Sequence, residues 1–141
     1  KCICLLCFKR FFPPVLSDFS YGDFIAQSDS GTKYQYLHGI SNKVWDEISE
    51  IFDNEINKRN SKLKERYKSV MFQNVIGKLI DSDENDRFSI SKGYKCPRCK
   101  QRFFIIHFDS NIFMDISEVS FSYYLSLNYE DKVNLIKKII S

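Results

Sequence analysis

The chain has two histidines, His38 and His107, one tryptophan, five glycines and three prolines among 141 residues. So little histidine leaves few groups that exchange protons near neutral pH. A glycine-rich phosphate loop, a nucleophile elbow and an H-E-x-x-H pattern are all missing. His38 and His107 read as packed or surface residues, and Asp109, two residues from His107, makes only a weak acid-base pair with it. A non-enzymatic role is therefore expected. No apolar run approaches the roughly 20 residues that span a bilayer, and the N-terminal apolar stretch is too short and cysteine-rich for a signal peptide. A soluble, cytoplasmic protein with no membrane association is expected, although numbering from Lys1 rather than a methionine leaves room for preceding residues.

What is present is a globular composition, with 43% hydrophobic, 28% charged and 16% aromatic residues, which suits one domain with a ring-rich core. The net charge is only +3, but the charges come in blocks. Residues 41–57 are acidic, 58–68 basic and 81–86 acidic. Lys92, Lys95, Arg98, Lys100 and Arg102 follow without an acid, and 103–131 then hold five acids and no lysine or arginine. Asp81, Asp83, Glu84 and Asp86 lack the glycine and the twelfth-position glutamate of a calcium loop, so they read as a solvated acidic loop.

The pattern of residues gives an α+β fold, a small antiparallel sheet packed against two or three helices. Apolar and polar residues alternate on both sides of Ser28-Asp29-Ser30-Gly31, which predicts a β-hairpin with Phe24 and Ala26 on one face. Val44, Trp45, Ile48, Ile51, Phe52 and Ile56 recur at the helical period behind Ser41 or Asn42 as N-cap. A second helix is expected from near Ser61 to Ile80, then a short strand at Phe88–Ile90. The continuous apolar run from Arg102 to Phe108 predicts a buried strand at the centre of the sheet, and residues 112–127 are expected to add strand. Asn128 should cap a final helix with acids in its first turn and lysines in its last.

Four of the five cysteines form two C-x-x-C pairs, CLLCFKRF at residues 4–11 and CPRCKQRF at 96–103. In each, a basic residue and a phenylalanine follow at matching positions. Two such turns can set four thiolates tetrahedrally around one ion, and such a closed shell braces rather than catalyses. Zinc held by Cys4, Cys7, Cys96 and Cys99 is the expected cofactor, with Cys2 as a spare thiol. The pairs resemble those of the zinc-ribbon class, which implies two knuckles joined across a small sheet and a role in nucleic-acid binding, protein binding or bracing. Here residues 8–95, a hairpin and two helices, lie between the pairs, and no glycine directly follows either second cysteine. The pairs also resemble rubredoxin, with iron in place of zinc.

Two surfaces could bind a partner. The acidic, aromatic segment with Asp109, Phe113, Asp115, Glu118, Tyr123 and Tyr124 suits a basic protein, with rings as anchors and acids as steering charges. Lys9, Arg10, Lys95, Arg98, Lys100 and Arg102, interleaved with Phe8, Phe11, Tyr94 and Phe103, would instead suit nucleic acid. A small domain with acidic surfaces near aromatics is similar in general character to bacterial immunity proteins that neutralise nuclease toxins. That resemblance, and a net charge modest for a nucleic-acid binder, put the protein-binding reading first.

Overall fold

The computed structural model describes residues 1–16, 21–59, 63–90, 93–106 and 115–141. The expected hairpin pairs β3 (Asp23–Ser28) with β4 (Tyr34–His38) in the register Phe24↔Leu37 and Ala26↔Gln35. Its turn closes where Gly31 takes φ +73°, a region costly for other residues. A third strand, β5 (Phe88–Ser89), pairs antiparallel with β3. Alternation gives this sheet two faces: Phe24, Ala26 and Leu37 on one, Ile25, Gln27, Tyr34 and Tyr36 on the other.

The first face carries the helices. α1 (Lys43–Lys58) starts where the Asn42 side chain accepts the Val44 and Trp45 amides, at 3.0 and 3.2 Å. Ile48, Ile51, Phe52 and Ile56 are its buried stripe. Trp45 stacks on Phe24 at 5.1 Å between ring centroids and meets Phe72 edge-on at 4.9 Å. α2 (Glu65–Leu79) has no side-chain cap. Its basic start finds the acids of α1 instead, through Lys68 and Asp53 at 2.8 Å. Near its end α2 presses on β5, and a Cβ on Gly77 would lie 2.9 Å from the Phe88 carbonyl oxygen. α3 (Ser122–Ser126) and α4 (Tyr129–Ile140) complete the layer, burying Tyr124, Ile136 and Ile140. Each large apolar side chain so buried contributes about 2 kcal/mol. Asn128 caps α4 by accepting the Asp131 amide at 2.9 Å.

A second three-stranded sheet is separate from the first. β1 (Cys2–Cys4) runs at its centre, antiparallel to both β2 (Arg10–Phe11) and β6 (Phe104–Ile106). Two small sheets and four helices among the described residues thus give the α+β class, with one more sheet and one more helix than expected. The apolar run after the second cysteine pair is not a buried central strand: β6 lies at an edge and exposes Ile105 and Ile106. The centre belongs to β1, whose Cys2 and Cys4 are buried. Of the span 112–127, the described residues 115–127 do not extend a sheet as expected. Ser117–Val119 meet β4 only through one parallel bridge, Tyr36↔Glu118, and α3 follows. His107, Asp109 and Phe113, like the expected helix start at Ser61, lie outside the described residues.

The acidic loop has structural work. Asp81 accepts the Ser122 and Tyr123 amides, at 2.6 and 3.1 Å, and so caps α3 from a distance. Asp86 accepts from the Ser30 amide and hydroxyl, and Lys33 pairs with Asp83 at 2.9 Å. His38 bonds to Asp23 at the exposed end of the hairpin. Among the described residues, no helix is long and apolar enough to cross a membrane.

Candidate metal centre

The two cysteine turns have matching backbones. Phe8 donates its amide to the Cys4 carbonyl, and Lys100 does the same to Cys96, both at 2.9 Å. The Cys4 amide donates to the Lys9 carbonyl at 3.0 Å, and the Cys96 amide to that of Gln101 at 2.9 Å. The residue after each second cysteine is left-handed, Phe8 at φ 57° and Lys100 at φ 61°. A knuckle asks for glycine there, and these two side chains hold the conformation at a cost of about 1 kcal/mol each.

β1 carries Cys4 into the first turn, and pairing of β1 with β6 brings the second turn alongside. The sulfurs of Cys4, Cys7, Cys96 and Cys99 all lie within 4.8 Å of one another. Cys4 Sγ is 3.5 Å from Cys99 Sγ, and Cys7 Sγ is 3.5 Å from Cys96 Sγ. No disulfide joins them, since a bonded pair would lie near 2 Å. A tetrahedral zinc with Zn–S bonds of about 2.3 Å places its sulfurs about 3.8 Å apart, so the cluster has the size and the donor set for such an ion.

The thiols differ in how readily they ionise. Burial would push Cys4 up, but the Leu6 and Cys7 amides and the neighbouring thiols outweigh it and bring its pKa down to about 6. Cys99 moves the other way, to about 12. Its bond to the Gln101 amide favours the thiolate, yet burial and the sulfurs of Cys4, Cys7 and Cys96 oppose it more strongly. One negative charge is welcome in the cluster and further ones repel. A divalent cation held by Cys4, Cys7, Cys96 and Cys99 would offset that opposition and favour all four thiolates. Cys2 is buried in the same small cluster as Phe11 and Cys96, apart from the four converging sulfurs, and burial raises its pKa.

The centre docks on the second face of the hairpin sheet. Gln27, buried in β3, accepts the Lys95 amide at 2.6 Å through Oε1 and donates to the Lys95 carbonyl at 3.0 Å through Nε2. Its side chain thereby imitates a neighbouring strand. Tyr94 packs edge-on against Tyr34 at 6.0 Å and donates its hydroxyl to the Pro14 carbonyl. Burial, with Tyr34 and Cys2 nearby, pushes Tyr94 up to about 12. Pro97 and the Lys95 carbonyl crowd Gly31, where a Cβ would lie 3.2 and 3.3 Å from them. Sequence reasoning missed Gln27 and Gly31 as docking residues. Gln27 was the available signal, an amide in a strand with apolar residues close by.

The residues expected to bind partners are divided. Lys9, Arg10 and Arg98 are exposed. Lys95 pairs with Asp29 at 2.8 Å, Lys100 donates to the Ser30 and Pro97 carbonyls, and Arg102 donates to the Gly93 carbonyl at 2.6 Å. In the acidic set, Asp115, Glu118 and Tyr123 are exposed. Tyr124 is 0% exposed in the helical core, which corrects its expected role as a contact. No known protein family, curated protein or solved structure matches the chain.

Proposed function

We propose that this chain is a zinc-braced protein-binding module of the immunity type, which neutralises a basic toxin domain, such as a nuclease, through the acidic shoulder formed by α3 and the start of α4. The observation that carries this reading is the exposure of Tyr123, Leu125 and Tyr129 in a stretch with Asp115, Glu118, Glu130 and Asp131 and no lysine or arginine. Exposed tyrosines supply large contact area at low entropy cost, and carboxylates around them steer a cationic surface into place. Zinc serves the fold and takes no part in chemistry.

The test is co-expression with the protein encoded by the neighbouring gene. A stoichiometric complex and relief of that protein's toxicity are expected, with binding at least about tenfold weaker in Tyr123→Ala/Glu118→Lys. No complex, or one indifferent to both substitutions, would sink the reading. Nucleic-acid binding through the knuckles ranks second, because Lys95, Lys100 and Arg102 bond within the fold. An electrophoretic shift that weakens steeply with salt would reverse that order.

A further inference from the structure

The two equivalent knuckles face different ways. Lys100, in the left-handed position of the second, reaches the Ser30 and Pro97 carbonyls, so this turn is moored on the hairpin. Phe8, in the same position of the first, is 77% exposed, and Leu5 and Leu6 of that turn are exposed beside it. The register continues the patch along the zinc sheet. Ile3 is paired with both Arg10 and Ile105, so these three share the face opposite Cys2 and Cys4. The Leu5 amide donates to the Phe103 carbonyl at 2.8 Å, and Phe103 is 64% exposed.

The charge around this patch has one sign. Residues 1–16 and 93–106, which build the sheet and both knuckles, contain no aspartate or glutamate, and Lys9, Arg10 and Arg98 are exposed among them. A second copy of the chain would set like charges against each other across an apolar face. Single-stranded nucleic acid could stack on Phe8 and Phe103, but it would leave Leu5, Leu6 and Ile105 in water. An anionic lipid surface satisfies the whole set. The protruding turn enters the boundary between headgroups and acyl chains, where aliphatic side chains and rings are both dehydrated, while the cations stay among the phosphates.

We infer that the first knuckle and the outer face of its sheet form a peripheral docking site for membranes rich in anionic lipid, centred on Phe8 and Leu6 and held in register by Arg10 and Lys9. This departs from the expectation drawn from the lack of a spanning run, which bears on crossing a bilayer and not on adsorption to one. The site shares no residue with the acidic shoulder, so either can fail alone.

The test is co-sedimentation of the zinc-loaded full chain with vesicles of phosphatidylcholine, with and without phosphatidylglycerol. Binding is expected to be strong only with phosphatidylglycerol. Phe8→Gly suits the left-handed backbone and leaves the turn intact, and it should weaken binding about tenfold. Leu6→Asp should abolish it, and Lys9→Glu or Arg10→Glu should each cost about fivefold or more on anionic vesicles. Zinc content by elemental analysis verifies that each variant is folded at the knuckle, and Tyr123→Ala should bind vesicles like the parent. No binding to anionic vesicles, undiminished binding by Phe8→Gly, or a preference for a single-stranded oligonucleotide over vesicles would overturn the inference.

Discussion

At the scale of single residues, the four thiols are the part of the site most legible in the sequence, because C-x-x-C spacing fixes how far apart two sulfurs can be. Their neighbours were harder to read. That Lys95 and Lys100 find partners on the hairpin, Asp29 and the Ser30 carbonyl, depends on where the hairpin lies, and no local pattern encodes it. Cys96 is buried with its sulfur 3.5 Å from that of Cys7. Cys96→Ser should therefore release zinc and lower the melting temperature, since structural zinc contributes on the order of 10 kcal/mol of apparent binding free energy. Elemental analysis and a thermal melt would show it, and retained zinc with an unchanged melt would refute it. Tyr124 illustrates the opposite difficulty. Its segment is acidic and polar enough to read as surface, yet the turn of α3 points this ring into the core and leaves Tyr123 outside.

Among the elements, α1 and α4 were read correctly because cap, period and charge gradient agree, with Asn42 and Asn128 as the observed caps. The run through β6 misled because continuous apolarity signals burial on both faces only when another layer covers the second face, and here Ile105 faces outward. Close approach sets a further limit. Gly77→Ala should raise intrinsic helix propensity by about 1 kcal/mol, but the added methyl meets the Phe88 carbonyl at 2.9 Å. A net loss of about 1–2 kcal/mol in urea unfolding is expected, and a gain would show that β5 yields freely. Glu55 ties α1 to α4. Its carboxylate accepts from Lys58 at 2.6 Å and has Lys137 at 3.8 Å, which hold its pKa below the usual range despite burial. A depressed folded pKa means stability that is full above about pH 4.3 and is lost as pH falls through the folded value. Glu55→Gln should flatten that acid limb in melts recorded from neutral pH downward, and parallel curves would exclude the role.

On the scale of the whole molecule, two buried clusters share the hairpin sheet: the large helical core on one face and the small cysteine cluster on the other. Trp45 belongs wholly to the first, against Phe24 and Phe72. Stripping the metal with a chelator should leave helical circular dichroism and Trp45 emission nearly intact at room temperature, while the amides of Leu5, Phe8 and Lys100 lose protection from hydrogen exchange. Simultaneous loss of both signals would mean that the clusters melt as one. The joint between them is centred on Gln27, both polar ends of whose side chain are taken up by Lys95, with Tyr94 against Tyr34 and Lys95 paired to Asp29 beside it. A bound ion would make that joint mechanical, since the thiolates of Cys4, Cys7, Cys96 and Cys99 would then be tied into a stiff link from the Phe8 turn to the Lys95 backbone. Force or displacement applied at the outer turn would then be carried into β3 rather than dissipated in the loop, so the central strand of the hairpin sheet would become the gauge on which events at Phe8 can be read.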